Sequence, residues 1–207
     1  MAEHPSEKLA IEKRARLFSV ASAEFAQHGF AQASLNRIIS EIGMSKSSFY
    51  HYFDSKTDLF TQTLNQSMAP FIAARDSFDI DLITAETFWP TVQMMTREMA
   101  HMANRSPEMV MVGKMFYRSR ENPEEQALTT ELMTLTTEWM AALIRRGQVL
   151  GLLRTDLPES FVIDMLMSLG MATDRWLLAH WEDFTDEERL ALNEKAFDLF
   201  VRVLDPG

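Results

Sequence analysis

Apolar residues recur at helical spacing along most of the chain, and cap and turn residues fill the gaps. Between about Glu7 and His28, Leu17, Phe18, Ala21 and Phe25 make an inner stripe, which Gly29 ends. Lys13, Arg14 and Arg16 lie on the outer side and read as a solvated face. Leu35, Ile38, Ile39 and Ile42 then repeat at i, i+3, i+4 and i+7, so a second helix has one apolar face. Ser34 stands before it as a candidate N-cap, and Gly43 follows where helices end in a left-handed residue. Ser45 offers the next cap. Behind it Phe49 and Phe53 share one side of a short helix, while Lys46, Ser47, Tyr50 and His51 stand on the other.

Ser55 and Asp58 have capping-box spacing and open a helix from Lys56 towards Phe78, kinked at Pro70. A cation at Lys56 opposes the dipole of that helix, which makes sense where a phosphate docks at the same place. The stretch Asp76–Leu82 is a break. Five more helices follow. One starts at Thr84 and Glu86 and ends near Asn104. Ser106-Pro107-Glu108 and Asn122-Pro123-Glu124-Glu125 are start signals for the next two, ending near Arg120 and near Gly147 or Leu150. Pro158-Glu159 opens a helix to about Trp181. Thr185 with Glu188 caps a last one to about Leu204.

A short helix held by an apolar back and presenting donors suits a DNA major groove. The residues at 29–59 also resemble the TetR family of transcriptional regulators. Gly29-Phe30, Ser34-Leu35, Ile38-Ile39, Ile42-Gly43-Met44-Ser45-Lys46, Phe49-Tyr50-His51-Tyr52-Phe53 and Ser55-Lys56-Thr57-Asp58-Leu59 carry the likeness at the family's order and spacing. It covers about the first third of the chain. It implies an all-α fold, with a three-helix DNA-binding domain over 7–66 and a helix-turn-helix at 34–53. A larger ligand-binding and dimerisation domain is then expected over 67–207, making about nine helices in all. Candidate base-edge contacts are Asn36, Lys46, Ser47 and Ser48. Candidate phosphate contacts are Ser34, Arg37, Tyr50, His51 and Lys56.

Charge complicates this picture. The net charge is −10, yet residues 1–66 hold seven Lys/Arg and seven Asp/Glu. All the excess acid therefore lies outside the expected DNA-binding end. That end is neutral rather than basic, so weak non-specific affinity for DNA should follow.

In the last two helices the apolar residues cover more than one side. Phe161, Met165, Leu169, Ala172 and Trp176 form one stripe, extended by Val162, Leu166 and Met167. Leu192, Ala196, Leu199, Phe200 and Val203 form the other. One side packs at home and the other needs a partner. The resemblance implies a homodimer through 158–181 and 185–204, which would read two half-sites of a palindromic operator.

Methionine and aromatic residues crowd the middle helices. Trp89, Gln93, Met99, Met115, Tyr117, Trp139, Met140 and Trp176 are candidate contacts for an apolar or amphipathic small-molecule effector.

Catalytic and metal chemistry find little support. The chain has no cysteine, and its five histidines have no partner at metal-ligand spacing. No G-x-S-x-G, G-x-x-x-x-G-K-[ST] or G-x-G-x-x-G motif is present. No cofactor, metal or enzymatic activity is expected. No signal peptide or bilayer-spanning run is evident, and a cytoplasmic location is expected. The expected function is sequence-specific repression relieved by the small molecule. The alternatives are an activator, a regulator without a ligand, and a helical sensor or enzyme that has lost DNA binding.

Overall fold

The structure, a computed structural model, describes residues 4–206. Regular structure among them is helical throughout, with nine α-helices and four short 3-10 turns. The helices are α1 (Ile11–Gln32), α2 (Leu35–Glu41), α3 (Lys46–Tyr52), α4 (Lys56–Asp76), α5 (Phe88–Arg105), α6 (Pro107–Glu121), α7 (Thr130–Val149), α8 (Glu159–Ala179) and α9 (Asp186–Leu204).

Most boundaries follow the caps. The Thr185 hydroxyl accepts from the Glu188 amide, and the Glu188 carboxylate accepts from the Thr185 amide, completing the box that opens α9. Only half of the box expected before α4 forms. Ser55 Oγ accepts from the Asp58 amide, but the Asp58 carboxylate turns to the Asp54 amide and to His4.

Two boundaries differ. The start of α1 is replaced by a 3-10 turn, Pro5–Lys8, while Gly29, at φ +73°, breaks the helix where the sequence places its end, and a short further piece runs on to Gln32. Asn122-Pro123-Glu124-Glu125 opens a 3-10 turn, Gln126–Thr129, before α7 begins. The Asn122 side chain explains this. Its Oδ1 accepts from the Glu124 amide and its Nδ2 donates to Glu125, which folds the segment into a local turn.

The chain forms two compact units. One holds the chain up to Ala69 together with Pro107–Thr130; the other holds Pro70–Ser106 and the chain from Glu131 onward. The division at 66/67 expected from sequence thus leaves out one segment of the first unit. Residues 107–130 join that unit because α6 packs along α1. In this unit Leu17, Phe25, Ile38, Phe49, Phe53, Leu59 and Phe60 are almost fully buried, and so are Val112 and Met115 of α6. The second unit is built on Phe88, Leu143, Ile144, Leu153, Val162 and Leu166. Its Gly147 lies close under Leu153 and Phe88, where a Cβ would stand 2.5 Å from the Leu153 side chain.

Candidate nucleic-acid interface

Three local devices place α2 and α3. Ser34 Oγ accepts from the Arg37 amide at 3.3 Å and Ser45 Oγ from the Ser48 amide at 3.1 Å, so each helix starts on a serine cap. Between them Gly43 takes φ +63°, and the Met44 amide returns to the Ile39 carbonyl at 2.8 Å. That closing bond, with a left-handed glycine, ends α2 within one residue. Phe49 and Phe53 then anchor α3 from behind, stacked at 5.2 Å between ring centroids.

The opposite side of α3 is open. Lys46, Ser47, Tyr50 and His51 are exposed, Ser48 is half-buried, and Tyr50 keeps 56% of its surface with its ring against Phe49. On α2, Asn36 and Arg37 are exposed and Ser34 is half-buried.

Arg37 is tethered from below. Its Nη1 donates to both Glu24 oxygens at 3.0 and 2.9 Å, and Glu24 also accepts from the Ser34 amide at 2.8 Å. Burial pushes the Glu24 carboxyl up. The Ser34 amide, the Arg37 bond and charge, and the His28 charge together outweigh burial and hold it below its ordinary range. Glu24 thus fixes the entry to α2 from α1.

Lys56, a candidate phosphate contact, has another use in the fold. Its ammonium donates to the Phe30, Ala31 and Ala33 carbonyls at 2.7, 3.1 and 3.1 Å and lies 4.7 Å from the Phe30 ring centroid. An ammonium has three donors, and all three are taken. The cation at the start of α4 therefore serves the carbonyl end of α1, where positive charge is favoured. Arg16, read as solvated, donates to the Glu41 carbonyl at 3.2 Å and serves the end of α2 in the same way.

The contacts that three residues make, Glu24, Arg118 and Glu125, escaped the sequence reading. Glu24 breaks an apolar stripe, and a lone acid beside Phe25 was the available signal. The bonds of Arg118 and Glu125 to α1 leave no local signal, because those partners lie more than 90 residues away in the chain.

The small-molecule candidates are divided between the two units. Met115 and Tyr117 belong to the first unit with the rest of α6, and Met115 is 1% exposed in its interior. The other six lie in the second unit. There Trp89, Trp139 and Met140 pack against the core cluster, whereas Met99 and Trp176 are about half exposed. Gln93 lies in an open groove of about 290 Å³ along α5, lined also by Pro90, Met94, Arg97, Glu98 and His101. The Trp139 indole N–H is buried and has no hydrogen-bond partner among the described residues. No group of three or more His, Asp or Glu among them is arranged to hold a metal ion. No described helix is long and apolar enough to cross a membrane.

Known proteins resemble the chain at both scales. Residues 17–63 match the model of a family described as "Bacterial regulatory proteins, tetR family". An HTH-type transcriptional repressor of Streptomyces coelicolor is 42% identical over 55 residues, 27% of this chain and 29% of the repressor's length. An uncharacterized HTH-type transcriptional regulator of Bacillus subtilis is 23% identical over 84% of this chain and 85% of its own. In fold, the chain is similar to the transcriptional regulator FadR of Bacillus subtilis, solved in complex with stearoyl-CoA. That likeness has a TM-score of 0.74 at 16% identity and covers 92% of this chain and 98% of the other. The matched segment 17–63 contains α2, the Gly43 turn and α3, and the fold likeness extends over the rest. Over residues 17–63 the chain thus matches the TetR family of transcriptional regulators, and over most of its length it shares the fold of such proteins.

Proposed function

We propose that this regulator is a homodimeric repressor of a palindromic operator and that an apolar or amphipathic small molecule releases it. The observation that carries the reading is the open face of α3, with Lys46, Ser47, Tyr50 and His51 exposed over a rigid aromatic back. Asn36, Lys46, Ser47 and Ser48 read base edges. Tyr50, His51 and Arg37 touch phosphates, and Ser34 holds α2 at the backbone. Lys56 drops out of the phosphate set because its donors are spent within the fold.

Dimerisation is supported by Phe161, Trp176 and Leu199, which stay 54%, 48% and 53% exposed on α8 and α9. A second copy would cover them. Release by an amphipathic molecule is supported by the stearoyl-CoA bound to the structural relative and by the unpartnered Trp139 N–H beside an apolar cluster. A ligand acceptor seated on that donor would remove the cost of leaving it unbonded. Trp89, Trp139 and Met140 are then the effector contacts. The effector acts by favouring a spacing of the two recognition helices that misses the operator.

Selection of bound sites from a random duplex pool, at stated salt, tests the reading. The expected product is a palindrome with half-sites about one helical turn apart. Absence of any enriched site with a folded dimer would favour a sensor that has lost DNA binding.

A further inference from the structure

The break in α1 has a chemical logic of its own. In an unbroken helix the Phe30 and Ala31 amides would donate to the Ala26 and Gln27 carbonyls, four residues earlier. Gly29, at φ +73° and ψ 165°, pulls these two pairs apart. Both halves of each pair find new partners, and all of them come from the 107–130 segment. Arg118 Nη1 donates to the Ala26 and Gln27 carbonyls at 3.1 and 2.8 Å. The Glu125 carboxylate accepts from the Phe30 and Ala31 amides at 3.3 and 3.2 Å. A cation meets the carbonyl end of one helical piece and an anion the amide end of the next, which is the favourable sense at each.

The Glu125 carboxylate is held in turn. It is 6% exposed and accepts from Asn122 Nδ2 at 3.0 Å and Ser119 Oγ at 3.5 Å. The turn that replaced the expected start of α7 is what aims it at α1. A Cβ at Gly29 would lie 2.9 Å from Arg118 Nε, so a side chain there would displace the Arg118 guanidinium, and φ +73° is a conformation that L side chains rarely adopt.

We propose that Arg118 and Glu125 are positioning residues that substitute for two missing hydrogen bonds of α1 and thereby set the direction in which the chain enters the DNA-reading helices. The break has two self-consistent states. In one, seen here, the pair is inserted and α1 bends at Gly29. In the other, the segment 107–130 withdraws and α1 heals through its own two bonds, carrying residues 30–33 and α2 to a new direction. The ends of this segment run directly into α5 and α7 of the second unit, so the chain itself links the clamp to that unit. This inference rests on the DNA-reading role proposed above.

The test uses the full chain, with operator binding read on the duplex selected from the random pool and amide hydrogen exchange read without DNA. Arg118→Ala and Glu125→Ala should weaken operator binding by about tenfold or more, because each removes the partner of two backbone groups at the break. The salt slope should stay unchanged, since no phosphate contact is lost. Arg118→Lys should recover most of the affinity. Gly29→Ala should weaken binding too, but by favouring the healed helix, so exchange at Phe30 and Ala31 should slow. Folded variants with affinity within about twofold of wild type would overturn the proposal. So would a reduced salt slope in Arg118→Ala, which would make Arg118 a phosphate contact. Unchanged or faster exchange at Phe30 and Ala31 in Gly29→Ala would overturn it as well. If wild type selects no duplex, the DNA reading fails, and the exchange arm still decides the clamp.

Discussion

Two basic residues at the start of α3 and α4 show how similar charges do different work. Lys46 is exposed, whereas Lys56 is bound to three carbonyls. Lys56→Met should therefore destabilise the first unit by roughly 2 kcal/mol, read from urea unfolding, because bonds to a charged donor are the strong ones. Tyr50→Ala should change stability by no more than about 0.5 kcal/mol and weaken binding to all DNA sequences alike. A change of sequence preference in Tyr50→Ala would remove Tyr50 from the phosphate set. Glu24 adds a pH dependence. Its carboxyl lies below the usual value of 4.5, so the native state gains stability above that value and loses it as pH falls through the lowered one. Urea midpoints at pH 7 and pH 3.5 should differ less in Glu24→Gln than in wild type. Equal differences would mean that other carboxylates carry the acid sensitivity.

At the level of elements, much was legible from the chain because the signals are local. Ser34, Gly43, Ser45 and Thr185 each act on neighbours within a few residues, and each did what its spacing predicts. The α3 face was readable for the same reason, since Phe49 and Phe53 fix the buried side by periodicity alone. Lys56 misled because the nearest helix end in sequence, the start of α4, is not the helix end it serves. The Asn122 signal misled because Asn122 and Glu125 engage each other, and Glu125 then reaches back to α1. No window of sequence contains that pairing. Packing at Gly147 was also invisible, as it depends on Leu153 and Phe88 approaching the helix from outside. Gly147→Ala should cost the second unit about 1–3 kcal/mol by overpacking. Gly170→Ala, whose Cβ would stand 3.8 Å from Phe200, should be neutral or slightly stabilising. Thermal unfolding of the two variants checks the contrast.

For the whole molecule, the distribution of charge and apolar surface bears on the proposed contacts with DNA and with a second copy. With the first 66 residues electrically neutral, affinity for random duplex should be weak, and discrimination should rest on placed contacts rather than on general attraction. Trp176→Glu or Leu199→Glu should convert a particle of two chains into one of 23.8 kDa, read by light scattering. Retention of the larger mass in both variants would move the interface off α8 and α9.

The threefold passage of the chain between the two units also bears on how such regulators can be recombined. Exchanging sensors and DNA heads by a single splice assumes that a head is one continuous piece. A head cut at Ala69 would leave its α6 behind and would inherit a foreign helix against α1. A working chimera of this protein needs two joints more, at 106/107 and 130/131, so that the inserted segment travels with the head it completes. Natural exchange between relatives should meet the same constraint, and heads and their inserts should be inherited together.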